Sequence, residues 1–185
     1  MRKCFGAKPI LYPMPVLIIG TYDENGTPDA MNAAWGGISE ENEISICISA
    51  EHKTTKNLLK TKAFTVSVAD VQSLVAADYV GIVSGNTVAD KIARCGWTAE
   101  KSALVNAPLF SQLPLALECR LVSYDAEDCR LVGEILNVSA DESILTDGRV
   151  DLCKFRPITY DPVNHTYVTL GETVGHAFSD GKRLK

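Results

Sequence analysis

The stretch 15-PVLIIGTYDENGTPDAMN-32 decides the architecture. Residues Val16 to Tyr22 are dense in β-branched and aromatic side chains, which suit a pleated, half-buried strand. Asn25-Gly26 follows at once, and both residue types tolerate the positive φ of a type I′ turn. The spacing predicts a β-hairpin whose second strand returns through Thr27 to Met31. It delivers the chain at 31-MNAAWGGIS-39, a run of small residues, one amide, two glycines and one tryptophan. Such a run is expected to pack poorly as a strand.

Further along, 43-EISICIS-49 alternates strictly, with Ile44, Ile46 and Ile48 on one face. That is the period of a half-buried strand. A short helix is expected over 51-EHKTTKNLLKTKA-63, with Thr54 or Thr55 as its N-cap. The strand 64-FTVSVA-69 follows. Residues 71-VQSLVAADYVGIVSG-85 read as a helix ended by glycine, and 86–102 as a loop with a short helix. The segments 115-LALECRLVSYD-125 and 129-CRLVGEILNVSA-140 form a second long hairpin around Ala126-Glu127-Asp128. A short strand is expected from Ile158 to Tyr160. Hairpins recur and helices are inserted between them, unlike the strict alternation of a doubly wound parallel sheet. A mainly β antiparallel barrel with a few accessory helices fits best, spanning 1–185 as a single domain.

Composition narrows the function. A length of 185 residues, 46% hydrophobic and 22% charged, is that of an ordinary globular domain. The net charge of -5 argues against nucleic acid or an anionic membrane as the main partner. Prolines 9, 13 and 15 interrupt the apolar run behind Met1-Arg2-Lys3, so no export signal is expected and the cytoplasm is the expected compartment. The six cysteines form no C-x-x-C pair, and the three histidines lie far apart, so nothing points to a metal. There is neither a G-x-G-x-x-G fingerprint nor a P-loop, and no H-E-x-x-H or G-x-S-x-G.

Two regions carry chemistry. Asn32, Ala33, Ala34 and the glycines after Trp35 expose backbone polar groups with little steric cover, as a flat, polar-edged ligand requires. Trp35 either walls such a ligand or fills the core of a tight crossover. At His52, Lys53 and Lys56, cations stand near a helix start, where the dipole disfavours them. A bound anion reverses that penalty, with Lys53, Thr54 and Thr55 as its cradle. The alternative is a solvated basic turn balanced by Glu51. A flat ring joined to a phosphate describes a mononucleotide, and flavin mononucleotide (FMN) is the natural candidate.

Here the sequence is similar to the flavin reductase-like family with the FMN-binding split-barrel fold, especially its flavoredoxin-type branch. The segments that carry this are 9-PILYPMPVLIIGTYDENGTPDAMNAAW-35, 44-ISICISAEHKTTKNL-58, 84-SGNTVADK-91, 107-APLFSQLPLALECRLV-122 and 167-YVTLGETVGHAF-178. The resemblance implies a six-stranded antiparallel Greek-key barrel, a homodimer, and FMN near the subunit interface. It implies that Asn32, Ala33, Ala34 and Trp35 line the isoalloxazine. Lys53, Thr54 and Thr55, with Asn57, would hold the phosphate, and Lys91 and His165 would be outer contacts. Where relatives carry Ser or Thr, this chain has Met31, Ala33 or Ala34, so backbone contacts would replace side-chain bonds to the ring. No acid or base residue is required, because the flavin itself accepts electrons. The leading expectation is an oxidoreductase taking electrons from NAD(P)H through FMN. The alternatives are a flavoredoxin-type carrier between redox protein partners and a split barrel that has lost its cofactor.

Overall fold

Val16 and Ile18 face one way from the first strand, Leu17 and Ile19 the other, and all four are buried. The strand therefore divides two cores, and burying each such side chain contributes about 1.5–3 kcal/mol. The computed structural model describes residues 1–185. Strand β1 (Leu17–Tyr22) pairs antiparallel with β2 (Pro28–Ala33), the predicted hairpin. Its turn differs from expectation. Asp23 N–H donates to Thr27 O, and the Asp23 carboxylate accepts from the Asn25 and Thr27 amides. Only Gly26 takes a positive φ, at 78°. The aspartate side chain organises a longer loop in place of a two-residue type I′ turn.

The chain continues as β3 (Gly36–Glu40), β4 (Glu43–Cys47), α1 (Lys53–Thr61) and β5 (Ala63–Val68). Next come α2 (Leu74–Ile82), α3 (Lys91–Arg94), β6 (Ala99–Lys101) and β7 (Pro108–Phe110). The long hairpin β8 (Leu115–Asp125) and β9 (Arg130–Ala140) follows as predicted. The remaining elements are β10 (Leu145–Thr146), β11 (Arg149–Val150), α4 (Leu152–Phe155), β12 (Ile158–Asp161) and β13 (Thr166–Thr169). The helix expected over 71–85 is shorter, because Val83 already takes an extended backbone.

The main sheet has seven strands rather than six, in the order β2-β1-β5-β8-β9-β4-β3, with every pairing antiparallel. One of the seven is β3, so the two glycines expected to resist strand formation open a strand. Gly36 is required by packing: a Cβ there would lie 3.0 Å from Leu17 Cδ1 and 3.1 Å from Ser45 O. Strands β2 and β3 are opposite edges of the sheet, yet only Ala34 and Trp35 separate them in the chain. The sheet must therefore curl until its edges approach.

Inside the curl lie Leu17, Ile19, Ile44, Ile46, Ile48, Phe64, Val66 and Leu131. A Cβ on Gly133 would overlap the Phe64 ring, so the glycine makes room for it. Outside, Val16, Ile18, Ala30, Ala77, Val80, Trp97 and Phe110 form the second core beneath α2 and α3. Trp97 and Phe110 pack at 5.3 Å between centroids. No helix is long and apolar enough to cross a membrane.

Candidate functional site

The outer end of β2, the face of α2 and the β12–β13 hairpin enclose a cleft of about 400 Å³. It is lined by Asn32, Ala34, Asp78, Gly81, Ile82, Tyr160, His165 and Tyr167. Thus Asn32 and Ala34 from the small-residue stretch meet His165 from far down the chain. Ala33 is buried in the inner core, and its side chain faces away from the cleft. Trp35 is 56% exposed, so it does not fill the core. It borders a second, apolar cleft of about 420 Å³ with Pro9, Leu11, Pro13, Met14, Pro15 and Ala34. Ala34 lies in the wall between the two clefts.

Hydrogen bonds fix the first cleft. Asn32 Nδ2 donates to Ala77 O at 3.1 Å, which ties β2 to α2. The Tyr167 hydroxyl donates to Asp78 Oδ1 at 2.7 Å. Burial, then the Asp78 carboxylate, push the Tyr167 phenol up to about 12. It therefore holds its proton throughout the neutral range. Tyr160 Oη and His165 Nδ1 lie 2.8 Å apart, and His165 sits at φ 55° where the hairpin turns. The N-terminal segment is clasped to the same hairpin by a hydrogen bond from Tyr12 to the Asp161 carboxylate. Asp78, Gly81, Tyr160 and Tyr167 are site residues that sequence reasoning missed. Gly81 left a signal, because a glycine inside a helical run usually marks a close approach. A Cβ there would come 3.0 Å from Asn32 Cβ.

The second half of the site is the start of α1. The N-cap is His52, and neither Thr54 nor Thr55 serves as cap. His52 makes no side-chain cap bond, and the first turn holds no acidic residue. The amides of Lys53, Thr54 and Thr55 donate to no backbone acceptor outside the helix, and a helix supplies none for its first turn. Both threonine hydroxyls are committed inward. Thr54 Oγ1 donates to Asp29 Oδ2 at 2.6 Å and Thr55 Oγ1 to Ser49 O at 2.7 Å. Asn57 is buried one turn on, with Nδ2 donating to Thr21 Oγ1 at 3.2 Å. Lys53 Nζ stands 3.4 Å from Asp23 Oδ2. Burial alone would raise the Asp23 carboxyl, yet the Thr27 and Asn25 amides and Lys53 together bring it below its ordinary value.

Lys91 is not an outer group. It is 3% exposed, with Nζ 3.8 Å from Asp29 Oδ1. Burial lowers its pKa, and Asp29 opposes that shift. The two halves of the site share β2: Asp29 and Asn32 are three residues apart, or about 10 Å along a strand. Gly81 packs on Asn32, and Gly85 packs on Asp29 and Lys53. The last turn of α2 and the residues just after it therefore span the same interval.

This curled antiparallel sheet, with a cleft at one end of an edge strand and an uncapped helix start near the other, is the architecture of FMN-binding split barrels. The chain belongs to the flavin reductase like domain family, whose model matches residues 10–161. Its fold is similar to the flavoredoxin of Desulfovibrio vulgaris (Miyazaki F), with 35% identity and a TM-score of 0.93 over 98% of this chain and 100% of that one. It is also similar to a flavoredoxin from Methanosarcina acetivorans, with 25% identity and a TM-score of 0.89 over the whole of both chains. Nitrilotriacetate monooxygenase component B from Bacillus cereus shares the fold at 18% identity and a TM-score of 0.79, over 95% of this chain and 100% of that one. No curated protein matches by sequence.

Proposed function

We propose that this chain binds FMN and passes electrons through it between redox protein partners, in the manner of a flavoredoxin. The observation that carries this reading is the convergence of Asn32, Ala34 and His165 on one cleft, with the open amides of α1 at the other end of β2. The residues fit the group. Ala34 and Gly81 keep the cleft walls low, so a flat ring can approach backbone. The free Lys53, Thr54 and Thr55 amides, the helix dipole and the Lys53 ammonium suit a phosphate. In this arrangement the hydroxyls of Thr54 and Thr55 position the helix rather than the ligand. Asn57 supports α1 from below, and Lys91 supports Asp29. Ala33 contributes backbone alone.

When bound, the flavin supplies the electron-accepting chemistry. The protein orients it. Asn32 presents an amide held by Ala77 O, and Tyr167 keeps its proton toward Asp78. Trp35 stands across Ala34 from the ring cleft, in the apolar cleft beside it. As part of the same proposal, the 185 residues act as one domain, work in the cytoplasm and pair as a homodimer.

The second reading takes electrons from NAD(P)H. The apolar cleft beside Trp35, at about 420 Å³, supports it, because a nicotinamide ring needs such a space next to the flavin. The test is the visible spectrum of the purified protein without oxygen. Flavin bands that persist with NADH and bleach with dithionite are expected for the carrier. Prompt bleaching by NADH favours the reductase. A protein that stays colourless after incubation with FMN overturns both.

A further inference from the structure

The stretch 94-RCGW-97 ends α3 and opens a second polar cleft. Gly96 takes φ 73°, a left-handed turn after which the Trp97 amide reaches back to Ile92 O at 3.2 Å. The turn brings Arg94 and Trp97 together against α2. That helix buries Ala77 and Val80 and leaves a flank on either side of them. Asp78, Gly81 and Ile82 line the Asn32 cleft on one flank. Val75, Ala76 and Tyr79 line a cavity of about 520 Å³ on the other. That volume is ample for a small molecule, and the two clefts share no residue.

Donors face this cavity. Trp97 is only 6% exposed, with its ring packed on Phe110. Its indole N–H meets no protein acceptor, yet no buried side-chain nitrogen or oxygen is sealed off without a partner. The N–H therefore reaches solvent, and the cavity that Trp97 lines is where it does so. A donor set in an apolar wall without an acceptor favours a ligand that brings one. Arg94 stands beside it. Its salt bridge to Asp90 runs through Nε at 2.9 Å, which leaves the outer guanidinium N–H groups available. No carboxylate lines the cavity, and Tyr79 and Trp97 give it aromatic walls. We propose that this cavity is a second binding site, which takes a small aromatic carboxylate. The ring lies against Tyr79 and Trp97, and the carboxylate accepts from Arg94 and from the Trp97 N–H. A guanidinium matches a carboxylate in both charge and shape, which selects an acid over a neutral acceptor.

Benzoate is the probe, followed by nuclear magnetic resonance. The chain has two tryptophans, so nitrogen-labelled protein gives two indole N–H resonances, and Trp35→Phe identifies that of Trp97. Benzoate is expected to move the Trp97 resonance saturably, with a dissociation constant in about the millimolar range. Benzamide, flat but uncharged, is expected to bind roughly tenfold or more weakly, because it forms no charge-assisted pair. Arg94→Gln is expected to weaken benzoate by about the same factor. The Arg94 side chain is 57% exposed, so the variant should fold, and its backbone amide spectrum checks this. A Trp97 resonance that stays still or drifts without saturating overturns the proposal. So does equal binding of benzoate and benzamide, or unaltered benzoate affinity in Arg94→Gln. None of these readouts involves flavin, so the FMN reading stands or falls separately.

Discussion

Lys91 Nζ lies 3.8 Å from Asp29 Oδ1, with both side chains buried and Thr54 donating to the other carboxylate oxygen. A buried pair is costly to split, because the remaining charge has no water. Lys91→Met is expected to cost about 3–5 kcal/mol. Joining it with Asp29→Asn removes the orphaned charge and is expected to restore most of the loss. Urea unfolding of the three variants checks this; a double variant as unstable as Lys91→Met would sink it.

The phosphate role of α1 separates two lysines. Lys53 sits at the helix start beside Asp23, whereas Lys56 faces solvent and pairs with Glu51 at 3.7 Å. Lys53→Ala is expected to weaken FMN binding by roughly tenfold at low salt, and Lys56→Ala by much less. Fluorescence titration with FMN at two ionic strengths distinguishes them. Equal effects would move the anion site away from Lys53.

Acid is expected to free the N-terminal segment. The Tyr12 hydroxyl first, then the Asn164 side chain and Val163 amide, hold the Asp161 carboxyl down to about 2 against an ordinary 3.8. A depressed carboxyl contributes its stability above the ordinary value and loses it as pH falls through the folded value. Pepsin cleavage near Leu11 should therefore accelerate as pH drops from 3.8 to about 2, and should be fast throughout in Asp161→Asn. Cleavage that is flat over that interval in the wild type would contradict the clasp.

Two glycines of the main sheet should respond oppositely to alanine. At Gly133 the added carbon overlaps the buried Phe64 ring, while at Gly37 it meets nothing within 4 Å. Gly133→Ala is expected to cost about 1–3 kcal/mol through overpacking. Gly37→Ala should stay within about 0.5 kcal/mol. Thermal unfolding of both proteins decides.

The strands that build the sheet were legible where periodicity and burial agree, as in Ile44, Ile46 and Ile48. The two- and three-residue strands β6, β7, β10 and β11 were not, since so short a run carries no period. The turn at Asn25-Gly26 was placed correctly but typed wrongly, because the Asp23 side chain competes for the local amides. Composition and position singled out Asn32, Ala34 and Lys53, and the fold brings the first two to one cleft and sets Lys53 at the start of α1. Thr54 and Thr55 were misread: a hydroxyl at a helix start looks free until a buried Asp29 on another strand claims it. Asp78 and Tyr167 were invisible because apolar residues surround α2, so the sequence does not say which of its faces meets β2.

The joint at Ala34-Trp35 has a topological consequence. It links the two edges of one sheet, and no backbone ladder crosses from β2 to β3. The barrel's seam is thus a covalent hinge rather than a zipped row of hydrogen bonds. Circular permutation that opens the chain between Ala34 and Trp35 would leave every strand pairing intact. Of the two joint residues, Trp35 is tied to β4 by its carbonyl, which accepts from Cys47 N–H at 2.7 Å, so Ala34 alone is left outside the backbone ladders on either side.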